Sequence, residues 1–278
     1  MTIGLVGIIF LSITLLSGCT QKQEGLPIVL IGRDSASGTR EYFSEKVMNK
    51  ENFSQNVLDK SSNGAILLTV AQTPGAIGYV GLGFVDVTVK ALKIDNITAN
   101  VENVLAGTYP ISRDLYMFTK GNATGAAKEF IEYIQSTEGQ NIVNEEGFVT
   151  LPTSESYNST GKTFSGTIKV SGSTTVLPIA DKAATNFKTI YPQLTVTVSG
   201  GGSGAGITAV SGGQVDIGMS SRDLKSSENN LGLVRYTIAK DGIAIIVNPE
   251  NTYVGGLTIA QVKAIYKGEI TNWKDFSK

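Results

Sequence analysis

The chain has 278 residues, with 24 acidic and 23 basic side chains, so its net charge is −1 and it has no broad basic field for nucleic acid. An apolar share of 41% and a charged share of 17% exclude a disordered chain and suit one large or two modest domains. Histidine is absent and cysteine occurs once, which removes histidine triads, histidine bases, internal disulfides and cysteine-rich metal sites.

The chain opens on a targeting pattern. Residues 3–16 are almost wholly apolar, the length of a signal h-region and short for a membrane span. Leu16-Ser17-Gly18-Cys19 has the form of a lipobox. Residues 1–19 are therefore read as a lipoprotein signal segment, Cys19 as the lipid attachment site and 20–25 as a tether. The n-region has no Lys or Arg, and a signal anchor with an incidental cysteine is the competing reading.

Strands and helices then alternate. A buried strand is expected over 27–31, a helix over 39–47 behind the Ser37-Gly38 turn, a helix over 64–71 and a Gly-punctuated strand over 75–81. Strands over 89–94 and 112–119 follow. Residues 126–138 form an amphipathic helix, with Ala127, Phe130, Ile131 and Ile134 on one face and Lys128, Glu129 and Glu132 opposite; it ends near Gly139, and 140–145 continues in helix form. Residues 153–166 shift to Ser, Thr, Asn, Lys and Gly, which marks a linker. Beyond it come a strand over 167–170, a helix over 174–191, a strand over 194–199, a Gly-rich turn over 200–204 and a short helix over 207–212. Strands over 215–219 and 242–247 and a helix over 258–266 complete the pattern. The alternation predicts an α/β protein with mostly parallel sheets.

Four loops share a design suited to an oxyanion. Ser37-Gly38-Thr39 opens a helix after a strand that ends near Arg33, and Ser173-Thr174-Thr175 opens another. Gly200-Gly201-Gly202-Ser203-Gly204 precedes a third helix, and Ser220-Ser221-Arg222 ends a strand. Backbone N–H groups and helix dipoles face an anion at such places, hydroxyls add donors, and an arginine balances charge. Any one of these loops is equally well a helix cap. All four together point to an anion clamped between two lobes. The glycine run lacks the Gly-Lys-Ser/Thr of a Walker loop, and no acidic residue follows at the spacing of a dinucleotide fingerprint.

Gly172-Ser173-Thr174-Thr175-Val176, the 200–206 loop, Val215-Asp216-Ile217-Gly218-Met219-Ser220-Ser221-Arg222 and the segment 32–41 resemble the periplasmic-type phosphate-binding proteins of ABC phosphate importers. Segments 240–249, 265–273 and 75–81 are similar to further landmarks of that family. The order differs from the family's usual one, because the segment resembling the second half comes first. This reads as a circular permutation in which 153–166 joins the former termini, with an assembly artefact or a fragment of a tandem duplication as the competing readings.

The resemblance implies a two-lobed, type II periplasmic-binding-protein-like α/β fold that closes on its ligand about a hinge. Lobe one would comprise 26–87 and 251–278, and lobe two 88–250. Carried over residue by residue, the phosphate contacts would be Arg33, Ser37, Gly38 and Thr39 from lobe one, and Thr174, Thr175, Ser203 and Ser221 from lobe two, with Ser173 adjacent. Arg33 would supply the positive charge, held by Asp34 or Glu41, while Arg222 would pair with Asp216 or Asp223. Some family members place an aspartate where Ser221 stands, to accept the proton of hydrogen phosphate and repel sulfate. Serine repels less, so sulfate and arsenate are competing ligands.

The implied function is extracytoplasmic capture of inorganic phosphate and delivery to an ABC permease by a lipid-anchored monomer. No cofactor, metal or catalytic residue is implied. A phosphate sensor or adhesin on the same fold is one alternative. A secreted phosphatase is the other, and it would need a base or metal cluster that no recognisable pattern supplies.

Overall fold

The apolar run after the tether forms strand β1 (Val29–Arg33), and the small-residue turn behind it opens helix α1 (Gly38–Lys46). The computed structural model describes residues 25–276 except residue 154, so the signal segment and Cys19 lie outside the described residues. The chain continues through β2 (Leu58–Lys60), α2 (Asn63–Gln72), β3 (Ala76–Gly81), the short β4 (Lys90–Ala91) and β5 (Lys93–Ile94), and α3 (Val101–Leu105). Next come β6 (Ser112–Lys120), α4 (Gly125–Gln135) and α5 (Thr137–Glu145). After the linker follow β7 (Gly166–Gly172), α6 (Leu177–Ile190), β8 (Leu194–Ser199), α7 (Ser203–Ser211) and β9 (Ile217–Ser220). The last elements are β10 (Leu233–Val247), β11 (Gly256–Leu257) and α8 (Ile259–Lys267).

One sheet path runs β2-β1-β3-β10-β6-β9-β7-β8, with β4 added on β10. Its outer ends are parallel, β2-β1-β3 at one and β9-β7-β8 at the other. The middle is antiparallel, which corrects the expectation of mostly parallel sheets. The cause is β10, 15 residues long, whose first part pairs with β6 and whose last five residues pair with β3. Only its 242–247 end stood out in the sequence, as an unbroken apolar run. Residues 233–241 alternate with polar side chains and carry a register shift between Thr237 and Ala239, so their pattern is weaker.

Two principal apolar clusters define two lobes. The first gathers Leu30, Phe43, Ile77, Tyr79, Ile245, Ile265 and Trp273, with the Phe43 ring stacked 4.1 Å from Tyr79. A smaller cluster on the opposite face of its sheet, built on Ile31, Ile66 and Val80, covers β1 and β3 with α2. Strand β3 is therefore buried along its whole length. The second principal cluster gathers Leu115, Phe130, Ile134, Ile179, Phe187 and Ile238. Leu92, Ile94, Val104, Tyr109 and Ile111 belong to the first cluster, as do Ile243, Ile245 and Val247. Val149, in the middle of the chain, also packs with this first cluster. Pairing brings in the 90–94 stretch: β4 adds to the end of β10, and β5 pairs with β11. The chain passes between the two clusters along β6 and β10.

Three local departures have plain causes. The helix end expected near Gly139 falls at Gln135, because Ser136 ends α4 in extended conformation and caps α5. Helix α6 starts at Leu177 rather than 174, because the Ser173 hydroxyl accepts from the Thr175 and Val176 amides in a turn. The linker is tied down: Thr137 N–H donates to the Glu155 carbonyl, and the Tyr157 hydroxyl donates to Glu129 at 2.7 Å. At the other junction the two ends of the described chain lie side by side, with Ile28 N–H on the Thr271 carbonyl and Trp273 N–H on the Leu26 carbonyl.

Candidate functional site

The four hydroxyl-bearing loops converge where the lobes face each other. Ser37 caps α1, its Oγ accepting from Arg40 N–H at 3.2 Å, and this leaves the Thr39 side chain in the first turn. Thr39 Oγ1 from lobe one lies 3.1 Å from Thr175 Oγ1 of lobe two. Ser203, at the start of α7, lies 3.3 Å from Ser221 Oγ and accepts the Ser221 amide at 3.0 Å. Asn63, the first residue of α2, donates to Thr175 Oγ1 at 3.0 Å and to Thr174 Oγ1 at 3.4 Å. All these side chains are at least nine-tenths buried.

The lobes touch through backbone as well. Gly204 N–H donates to the Ala36 carbonyl across the interface at 3.0 Å. Two glycines permit this approach. A Cβ on Gly38 would sit 2.2 Å from Ser203 Oγ, and one on Gly202 would sit 2.6 Å from the Ala36 carbonyl. Gly202 also has φ of 94°, a conformation that side chains disfavour.

Two buried arginines differ in what they hold: Arg113 reaches the hydroxyls, and Arg33 bonds to backbone carbonyls. Arg113, near the start of β6, donates from Nε and Nη2 to Asp241 Oδ2 at 3.0 and 2.8 Å. Its Nη1 donates to the Ser221 carbonyl at 3.1 Å, and Nη2 also reaches Thr39 Oγ1 at 3.1 Å and Thr175 Oγ1 at 3.3 Å. Asp241 is fully buried on β10, and its other oxygen accepts the Leu82 amide. Burial pushes the Asp241 carboxyl up, against the pull of Arg113. Arg33 donates to the carbonyls of Lys60 and Ser61, both at 3.1 Å. Burial lowers its pKa; Asp34 and Tyr79 oppose that shift, and the charge of Arg113 adds to it.

Ser37, Gly38, Thr39, Thr174, Thr175, Ser203 and Ser221 come together in this cluster, whereas Ser173 and Arg33 make other bonds. Ser173 spends its hydroxyl on the amides of its own loop. Arg33 is held by neither expected carboxylate: Asp34 accepts the Ala36 amide, and Glu41 pairs with Lys225 at 2.8 Å. The expected partners of Arg222 also change. It forms a two-pronged pair with Glu228 at 2.7 and 2.8 Å, while Asp216 accepts the Lys169 amide. Arg113, Asn63 and Asp241 were missed, because each reads locally as part of a strand or helix start. Arg33 closes its strand, whereas Arg113 opens one, so the signal that marked Arg33 did not apply to it.

Beside the cluster a cleft of about 520 Å³ opens between α1 and the 222–225 loop, with Arg113 in its wall and Glu41 and Lys225 on opposite sides. Donors from every side, a second guanidinium and one saturated carboxylate suit a small, dehydrated tetrahedral anion.

The profile of the PBP superfamily domain matches residues 16–138 and 158–278. Over 281 aligned residues the chain is 35% identical to a phosphate-binding protein, PstS 2, of Streptococcus agalactiae, covering 96% of this chain and 95% of the relative. The phosphate-binding protein PstS of Bacillus subtilis is 38% identical over 124 residues, 44% of this chain and 41% of that one. A crystal structure of the phosphate-binding protein of a phosphate ABC transporter from Streptococcus pneumoniae superposes with a TM-score of 0.72. It is 33% identical and is matched over 90% of this chain and its own entire length.

Proposed function

Because the chain belongs to the PBP superfamily, among its PstS-type phosphate-binding proteins, we propose that it captures inorganic phosphate between its lobes and delivers it to an ABC permease. The observation that carries this reading is the meeting of Thr39 with Thr175 beneath the Arg113 guanidinium, two lobes contributing to one buried donor cluster. It is a transport component outside the cytoplasm and not an enzyme.

In this mechanism the open lobes, flexing along β6 and β10, admit the ion through the cleft beside α1. Arg33, Ser37, Gly38 and Thr39 engage it from lobe one. Thr174, Thr175, Ser203 and Ser221 engage it from lobe two, and Ser173 holds its loop in shape. Hydroxyls that bond to one another across the closed interface would exchange those bonds for phosphate oxygens, so closing costs few unsatisfied groups. The amides at the starts of α1 and α7 add donors and favourable dipoles.

We further propose that the protein is a monomer anchored through Cys19, and that its halves are exchanged relative to the common family order. Three findings support the exchange. The family profile matches in two blocks that leave out 139–157, which overlaps the linker. The Bacillus relative aligns over less than half the chain, while the Streptococcus one aligns nearly throughout. The described ends pair with each other at Ile28 and Thr271.

Isothermal titration of the purified protein with phosphate tests the function. We expect one ion per chain and a large loss of affinity in T39V/T175V. An absence of binding, or unchanged affinity in that variant, would refute the reading.

A further inference from the structure

The charge around the hydroxyl cluster can be added up. Arg33 and Arg113 contribute two positive charges, and fully buried Asp241 contributes one negative charge. The starts of α1, α6 and α7 add about half a positive charge each. Other ionised groups nearby are offset: Glu41 by Lys225, Arg40 by Asp59, Glu45 by Lys50, Lys240 by Asp114, Asp223 by Arg235, and Arg222 by Glu228. Asp34 is partly exposed, and the phenols of Tyr42 and Tyr79 are held neutral by burial. The pocket therefore presents roughly two and a half positive charges. Without Arg113 it would present roughly one and a half.

We propose that Arg113 determines which charge state of the anion the site takes, selecting the dianion over the monoanion. This rests on the phosphate-capture reading above. Its Nη2 sits between Thr39 and Thr175 and is the part of a guanidinium held closest to both lobes. Asp241 fixes it there with two hydrogen bonds and cannot follow the ligand, since its second oxygen is taken by Leu82 N–H. Phosphate passes from monoanion to dianion near neutral pH, so the selection is read as a pH dependence of affinity. A site that selects the dianion gains up to about tenfold in affinity per pH unit below the ligand's second ionisation.

The test is phosphate affinity by titration calorimetry between about pH 6 and about pH 8, spanning that ionisation, for the unmodified protein, R113Q and R113K. We expect the unmodified protein to bind roughly tenfold more tightly at the upper end. R113Q should lose most of that rise, so that its deficit is large at high pH and small at low pH. R113K keeps the charge but not the fork, and should bind more weakly throughout while keeping the rise. Thermal melts of each variant check folding; if R113Q does not fold, R113M, which also removes the charge, takes its place. A folded R113Q with the full rise, or R113K without one, would overturn the inference. No binding by the unmodified protein at any pH would instead overturn the function on which it rests.

Discussion

Replacing Gly38 by alanine separates lobe closure from folding. The added Cβ would lie 2.2 Å from Ser203 Oγ and 2.8 Å from both Ser203 Cβ and Ser221 Oγ, all on the opposite lobe. An ordinary contact starts near 3.4 Å, so the lobes must stay apart by about 1 Å. Three bonds that need full closure are then lost: Gly204 to Ala36, and those that Thr175 and Ser221 would give an ion held by lobe one. At about 1 kcal/mol each, the loss is about 3 kcal/mol, or roughly a hundredfold in affinity. Within lobe one the change is benign, since alanine is better than glycine in a helix by about 0.5–1 kcal/mol. Calorimetry and a thermal melt of the ligand-free protein should therefore diverge: affinity falls about a hundredfold while the melting temperature holds or rises. Wild-type affinity in G38A, or a collapse of its melting temperature, would refute the closed geometry.

Two further outcomes follow from the ion pairs. Glu41 and Lys225 join opposite lobes at 2.8 Å but stand 34% and 43% exposed, so K225E should weaken phosphate binding only about two- to fivefold. The swap E41K/K225E should restore it, and high salt should erase the difference; stopped-flow dissociation rates are the check. Burial pushes the Glu129 carboxyl up, but hydrogen bonds from Lys162 and Tyr157 outweigh this and hold it below its ordinary 4.5. A depressed carboxyl contributes stability that is present above its unfolded pKa and lost as pH falls through the lower folded value. Melting curves taken from neutral pH downward should show E129Q less stable than the parent near neutrality, with the gap closing below pH 4.5. A gap that persisted in strong acid would mean the linker is not held by this charge.

How far the sequence alone could go depends on how local each signal is. Ser37, Thr258 and Ser62 cap their helices where small polar residues precede apolar periodicity. The strand over 76–81 is all buried, as an unbroken apolar and glycine run suggests. Segments with few residues or mixed polarity were not legible: β2 has three residues, α3 has five, and the first part of β10 alternates with Arg235 and Lys240. The break between α4 and α5 was legible but misplaced at Gly139, because the cap that sets it is Ser136.

The amino-acid order by itself determined the chemistry available: hydroxyl-rich turns at helix starts, arginines at strand ends, glycines where backbones must approach, and no histidine to do anything else. Those features depend on neighbours a few residues away, and so they are written locally. Tertiary structure alone decided which charges face the shared cleft. Arg113 meets Asp241, 128 residues distant, because β6 and β10 pair side by side, and Thr39 meets Thr175 only because the lobes close. A guanidinium's role is set by what surrounds it after burial, and that neighbourhood is assembled by pairing and packing over the whole chain.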